Sequence, residues 1–164
     1  MPVTVHPASP AIGAEIRGVD ISAPMDEATF AVIHKAWLDH SVLLFRGQSL
    51  DPDQQRAFVS LFGTIGKRAG ALPAKRPRAW EGPDYNADAM LVSNIRENGK
   101  LIGSLPDSEM QFHSDMCYIP KPPKGTFLYA VEIPSTGGDT LFLNMYKAYE
   151  ALSPTMKETL RGKE

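Results

Sequence analysis

Cysteine, long apolar runs and net charge are all scarce in this sequence. The single cysteine, Cys117, excludes an intrachain disulfide, as is typical of a protein from a reducing compartment. No stretch approaches the roughly 18 apolar residues of a transmembrane helix, and the N-terminus has neither the basic nor the apolar region of a signal peptide. The net charge of −2 gives no general attraction to nucleic acid or to a membrane surface. The sequence therefore predicts a cytoplasmic protein without a nucleic-acid or membrane partner.

The length and the turn-forming residues indicate one domain of mixed secondary structure. A chain of 164 residues is long enough for one hydrophobic core. Fourteen prolines and thirteen glycines favour many turns, and so an α+β fold rather than a helical bundle. We expect Phe30, Trp37 and Phe58 in the core and a buried thiol at Cys117.

The hydrophobic pattern predicts helices early in the chain and mostly strands later. Helices are expected over 26–40, from the N-cap Asp51 onwards, and from Ser153-Pro154 onwards. Asn98-Gly99 predicts a β-hairpin between strands at 90–95 and 100–102. The other predicted strands are 3–5, 14–19, 41–46, 111–118, 126–133 and 140–145. Residues 64–89 lack periodicity and are expected to form a long loop.

One histidine and one aspartate form the most informative motif of the chain. His113 and Asp115 are two residues apart, so on a strand their side chains would point to the same face. An imidazole and a carboxylate are two of the three ligands in the 2-His-1-carboxylate set that holds non-haem Fe(II) in oxygenases. The alternative is a surface histidine beside an aspartate at a strand end. A third ligand is not evident, because His6 precedes the predicted fold, and His34 and His40 fall on the first predicted helix.

A series of short motifs in a fixed order surrounds this pair. They are Leu43-Leu44-Phe45-Arg46-Gly47-Gln48, Phe62-Gly63, Phe112-His113-Ser114-Asp115-Met116-Cys117-Tyr118, Pro122-Pro123, Leu128-Tyr129-Ala130, Pro134, Gly137-Gly138-Asp139-Thr140 and Ala148-Tyr149-Glu150-Ala151-Leu152-Ser153. In this order the motifs closely resemble the TauD/TfdA family of Fe(II)- and 2-oxoglutarate-dependent dioxygenases. The resemblance extends over nearly the whole chain.

The resemblance implies a fold, a set of cofactors and three site residues. The fold would be a double-stranded β-helix, or jelly roll, with flanking helices, and residues 1–164 would form a single domain that lacks its C-terminal part. His113 and Asp115 would bind Fe(II), and the hydroxyl of Thr140 would bind a carboxylate of the co-substrate 2-oxoglutarate, with O2 as the second co-substrate. The family's distal histidine ligand, and the arginine that pairs with the far carboxylate of 2-oxoglutarate, lie further along than residue 164.

The activity that the resemblance implies is hydroxylation of a small, anionic organic substrate, coupled to decarboxylation of 2-oxoglutarate to succinate and CO2. Sulfonates, sulfate esters and aryloxyalkanoates are the expected substrate classes. Members that act on taurine have an asparagine four residues before the metal histidine, where this chain has Glu109, so taurine is not the expected substrate. The candidate substrate-binding residues are Arg68, Asn94, Glu109, Gln111 and Tyr118.

Two alternatives stay open at this point. The chain could be a truncated relative that lacks the third metal ligand and acts as a binding or structural protein rather than an enzyme. The basic residues around Arg68 could form a solvated loop instead of attracting an anion. Because two protein ligands hold Fe(II) weakly, we expect the 164-residue chain alone to be inactive. A homo-oligomer is one option for its assembly.

Overall fold

A computed structural model of the chain describes residues 2–66, 89, 92–94, 96–101 and 111–163. These ranges contain five strands and four helices. In chain order they are β1 (Thr4–Pro7), β2 (Ala14–Arg17), α1 (Glu27–His40), β3 (Leu43–Phe45), α2 (Pro52–Ser60), β4 (Arg96–Glu97), β5 (Lys100–Leu101), α3 (Met145–Glu150) and α4 (Pro154–Leu160). In these ranges no helix combines the length and the apolar character that a membrane crossing requires.

The larger of the two sheets is mixed and packs against α1. Its order is β1-β2-β3, in which β2 pairs antiparallel with β1 and parallel with β3. Parallel neighbours need a crossover connection, and α1 supplies it between β2 and β3. Ala14 and Ile16 of β2 are 1% and 3% exposed, and Ile33 of α1 is completely buried. The apolar core of this region therefore lies where α1 contacts β2 and β3.

Three of the four described helices, α1, α2 and α4, begin where the sequence predicts a helix. Asp26 caps α1, because its carboxylate accepts hydrogen bonds from the backbone N–H and the hydroxyl of Thr29, both at 2.8 Å. These bonds, the backbone one first, hold the pKa of Asp26 below its ordinary value. Asp51 and Gln54 form a reciprocal capping box at the start of α2. Ser153 caps α4 through its hydroxyl oxygen alone, which accepts a hydrogen bond from the backbone N–H of Met156 at 3.2 Å.

Contacts divide the chain into two compact units. The first unit comprises Met1–Asp20, Met25–Gln48 and Val131–Glu164, and the second comprises Ile21–Pro24 and Ser49–Ala130. Within the first unit, the Asn144 side-chain amide donates to the carbonyl of Ala11 at 2.7 Å, and the Lys147 ammonium donates to the carbonyl of Pro10 at 2.9 Å. The start of α3 is thus fixed to the connection between β1 and β2.

The predicted hairpin is confirmed, although its strands are short. β4 pairs antiparallel with β5 around Asn98 and Gly99, whose φ angles are 48° and 77°. Two successive positive φ angles define the type I′ turn that Asn-Gly favours. The described pairs are Arg96 with Leu101 and Glu97 with Lys100; of the predicted strand at 90–95, residues 90, 91 and 95 lie outside the described residues.

Three strand predictions, over 111–118, 126–133 and 140–145, are wrong. The described residues of these segments form no strand, a turn occupies 115–118, and α3 begins at Met145. A strand is stable only when its backbone N–H and C=O groups pair with a neighbour, and apolar alternation by itself does not supply that neighbour. Large apolar side chains here remain exposed, including Leu128 at 71% and Leu141 at 70%. The described part is therefore a small mixed sheet with a hairpin and helices.

The predicted core residues give a divided result. Phe58 is buried, whereas Phe30 and Trp37 are only half-buried. The thiol of Cys117 is exposed, so the prediction of a buried thiol is wrong. That prediction assumed that Cys117 lies on one face of a strand, and the turn at 115–118 removes the assumption.

Candidate metal centre

His113 and Asp115 lie together in the second unit. The His113 Nε2 atom is 3.2 Å from the Asp115 Oδ1 atom. A turn follows the pair: Met116 has a φ of 50°, and its carbonyl accepts a hydrogen bond from the N–H of Ile119 at 3.1 Å. A positive φ is uncommon for a residue other than glycine and often accompanies functional sites. Both side chains are about half exposed, at 52% and 48%, so a small ion can reach them.

The backbone carbonyl of Gln111 determines which nitrogen of His113 carries the proton. The His113 Nδ1 atom lies 2.8 Å from this oxygen. A carbonyl oxygen can only accept, so Nδ1 must carry the hydrogen. In the neutral imidazole, Nε2 then presents its lone pair, which is the form that binds a metal.

The facing atoms of His113 and Asp115 require a positive charge between them. In the neutral tautomer just described, Nε2 and Oδ1 are both acceptors, and two acceptors 3.2 Å apart repel each other. A proton on Nε2 or a bound cation removes this repulsion. In agreement, the Gln111 carbonyl and, to a smaller extent, the Asp115 carboxylate raise the pKa of His113.

The second oxygen of Asp115 has its own partner. The hydroxyl of Thr126 donates to Asp115 Oδ2 at 2.6 Å. The residue after it, Phe127, packs edge-to-face against Phe62 and Phe58 of the α2 region, with ring centroids 5.0 and 6.0 Å away. Oδ1 is therefore the carboxylate oxygen that faces His113.

The geometry of this pair fits two neighbouring ligands of a divalent metal. Donor atoms about 2.1 Å from a metal and at right angles to each other lie about 3.0 Å apart, close to the 3.2 Å between Nε2 and Oδ1. Imidazole nitrogen and carboxylate oxygen suit Fe(II). Among the residues that the structure describes, no group of three or more His, Cys, Asp or Glu side chains could hold a metal. Within the described part of the chain, His113 and Asp115 are therefore a pair of candidate donors without a third beside them.

The structure describes four of the other six predicted site residues. Thr140 is exposed and belongs to the first unit, after Gly137 and Gly138 with φ angles of 71° and 72°. Asn94 and Tyr118 are exposed side chains, the latter at 81%. Gln111 contacts His113 through its backbone carbonyl rather than its side chain. Two candidates, Arg68 and Glu109, lie outside the described residues.

Sequence reasoning missed Thr126. It lies eleven residues after Asp115, beyond the segment Pro120-Lys121-Pro122-Pro123, and no local spacing rule connects the two. The sequence offers only one signal for it, which is that Thr126 carries a hydroxyl and follows the predicted metal ligand by eleven residues.

An imidazole nitrogen and a carboxylate oxygen 3.2 Å apart are two of the ligand types found in mononuclear Fe(II) sites. The family described as "Taurine catabolism dioxygenase TauD, TfdA family" matches residues 4–164. The chain therefore belongs to the TauD/TfdA family. Enzymes of this family are oxidoreductases that use Fe(II), 2-oxoglutarate and O2.

Three curated relatives illustrate the family's range. Pentalenolactone F synthase of Streptomyces avermitilis is 37% identical over 99% of this chain and 51% of its own length. The (S)-phenoxypropionate/alpha-ketoglutarate-dioxygenase of Delftia acidovorans is 32% identical over 90% of this chain and 48% of its own. The alpha-ketoglutarate-dependent sulfate ester dioxygenase of Pseudomonas putida is 32% identical over 94% and 46%. The chain thus spans about half the length of the curated relatives it matches.

Solved structures give a looser match. A taurine dioxygenase from Burkholderia xenovorans is 40% identical over a part that covers 42% of this chain and 26% of that one, with a TM-score of 0.37.

Proposed function

We propose that this chain forms part of an Fe(II)- and 2-oxoglutarate-dependent dioxygenase that hydroxylates a small, anionic organic substrate and releases succinate and CO2. His113 and Asp115 would be two of the metal ligands. The third ligand would come from outside residues 1–164, because the other histidines of the chain lie in β1 and α1. The domain would be a jelly roll, of which residues 1–164 are one part.

The observation that carries the proposal is the arrangement of His113. Its Nδ1–H is engaged by the Gln111 carbonyl, while Nε2 faces Asp115 Oδ1 at a separation suited to one shared cation. Histidines that bind metals commonly donate their other ring N–H to a carbonyl or a carboxylate, which fixes the tautomer and the ring orientation. A surface histidine beside an aspartate needs no such bond on its far nitrogen.

The residues of this chain would position the reactants and hold charge. When bound, Fe(II) and 2-oxoglutarate supply the oxidative chemistry. His113 and Asp115 would hold the metal through the imidazole Nε2 and a carboxylate oxygen. The hydroxyl of Thr140 would donate to a carboxylate of 2-oxoglutarate, a role that family resemblance supports.

The substrate class rests on the relatives and on charge. Names among these relatives include a phenoxypropionate, a sulfate ester and, in Acinetobacter baylyi, an alkylsulfatase that is 35% identical over 90% of this chain and 41% of its own length. We propose the same anionic classes here, with Arg68 as the cation for the substrate's acid group. Asn94, Glu109, Gln111 and Tyr118 would line the rest of the substrate site.

The test is succinate release by the full-length protein with Fe(II), 2-oxoglutarate and a panel of sulfonates, alkyl sulfates and aryloxyalkanoates. We expect His113→Ala and Asp115→Ala to abolish turnover, because each removes a metal ligand. Thr140→Ala should mainly raise the KM for 2-oxoglutarate. His6→Ala is the matched control, since it removes an exposed imidazole from β1. Succinate release at the unmodified rate by either ligand variant would refute the assignment.

A second candidate, a non-catalytic binding protein, is favoured by the two-ligand count in the described residues. The reading frame after Glu164 separates the two. A histidine followed about ten residues later by an arginine supports the enzyme, in keeping with the family pattern. A stop codon there supports the non-catalytic protein.

A further inference from the structure

We infer that Thr126 is a positioning residue for the metal, because its hydroxyl fixes the Asp115 carboxylate so that Oδ1 alone faces His113. The inference rests on the proposed function, since it concerns the same metal pair. It adds a residue to which neither the sequence motif nor the family match assigns a role.

The hydrogen bond itself carries the argument. Thr126 Oγ1 donates to Asp115 Oδ2 at 2.6 Å, which is the short distance of an O–H···O⁻ bond to an ionised acceptor. The terminal torsion of an aspartate is broad and nearly two-fold, so an unrestrained carboxylate exchanges its two oxygens easily. With Oδ2 occupied by the hydroxyl, Oδ1 stays 3.2 Å from His113 Nε2.

The position of Thr126 is in turn set by its neighbours. Phe127 packs against Phe58 and Phe62, with ring centroids 6.0 and 5.0 Å away. Three residues after Thr126, the hydroxyl of Tyr129 accepts a hydrogen bond from the backbone N–H of Leu50 at 3.1 Å. The side chains of Phe127 and Tyr129 therefore hold the segment that contains Thr126 against α2 and the residues next to it.

The two ligands therefore have matching supports. The Gln111 carbonyl holds the far nitrogen of His113, and the Thr126 hydroxyl holds the far oxygen of Asp115. Partners of this kind orient metal ligands, and their loss typically costs about 10–100-fold in metal affinity. The hydroxyl, rather than the methyl group of Thr126, is the part that performs this role.

The experiment measures the affinity of the full-length protein for Mn(II), a divalent ion that takes nitrogen and oxygen ligands, without any turnover. Thr126→Val keeps the shape and removes the hydroxyl, and Thr126→Ser keeps the hydroxyl and removes the methyl group. We expect Thr126→Val to bind Mn(II) about 10–100-fold more weakly, and Thr126→Ser to bind like the unmodified protein. Thr126→Ala provides a second variant without the hydroxyl, and Thr155→Val in α4 controls for the exchange of threonine for valine.

The outcomes separate this inference from the proposed function. Unchanged Mn(II) affinity in Thr126→Val, or an equal loss in Thr126→Ser, overturns the role of the hydroxyl, because a packing role alone would favour valine over serine. Unchanged affinity in His113→Ala and Asp115→Ala overturns the metal site itself. Loss in those two variants together with unchanged affinity in Thr126→Val leaves the metal site standing and rejects only Thr126.

Discussion

Replacing Phe127 by alanine should destabilise the second unit substantially, because this ring joins the segment after Asp115 to the α2 region. Complete burial of a phenylalanine side chain contributes up to about 3 kcal/mol. Phe127 is 37% exposed, so roughly 2 kcal/mol of that transfer free energy applies here. Its edge-to-face contacts with Phe58 and Phe62 add about 0.5–1.5 kcal/mol each. We expect the free energy of unfolding to fall by about 3–5 kcal/mol.

Leu128→Ala is the matched control for Phe127→Ala. The two residues are adjacent, but Leu128 is 71% exposed, so its truncation should cost only about 0.6 kcal/mol. Urea unfolding followed by circular dichroism measures both variants, with the midpoint and the slope compared. Equal losses for the two variants would show that the aromatic contacts do not hold this segment, and the reasoning would fail.

Two further predictions concern α1. Ile33→Ala should lower the free energy of unfolding by about 2–5 kcal/mol, because Ile33 is completely buried. Val32→Ala, at a position that is 42% exposed, should lower it by less than about 1 kcal/mol. Similar losses for the two variants in urea unfolding would contradict the assignment of Ile33 to the core. Asp26→Asn keeps the cap acceptor but removes the charge. The Thr29 N–H and hydroxyl lower the pKa of Asp26 from 3.8. The ionised carboxylate therefore stabilises the folded state above that pH, and this stabilisation is lost as the pH falls through the folded-state pKa. As the pH falls below about 5, the free energy of unfolding should therefore decrease more for the unmodified protein than for Asp26→Asn. Equal decreases in the two proteins would refute this.

Sequence reasoning found the helix starts because their signals are local. Asp26, Asp51 and Ser153 each accept hydrogen bonds from backbone N–H groups within the next three residues. The Asn98-Gly99 turn is equally local, since its two positive φ angles depend on those residues alone. Predictions of this kind need no knowledge of the rest of the chain.

Sequence reasoning failed where structure depends on distant partners. Apolar alternation over 126–133 predicts a strand, but the pattern cannot supply a neighbouring strand, and the described segment has none. His113 and Asp115 do lie together, although not on the predicted strand, since residues 111–118 form none. The hydroxyl of Thr126 was missed for the same reason, because only the path of the folded chain brings it to Asp115.

The hydrogen bonds from Asn144 and Lys147 to Ala11 and Pro10 can form only late in protein synthesis. More than 130 residues separate the donors from the acceptors. At about 5–20 residues per second, the ribosome delivers the donors roughly 7–27 s after the acceptors. Throughout that interval water must solvate the two carbonyls, and α3 displaces it only after translation has passed Lys147.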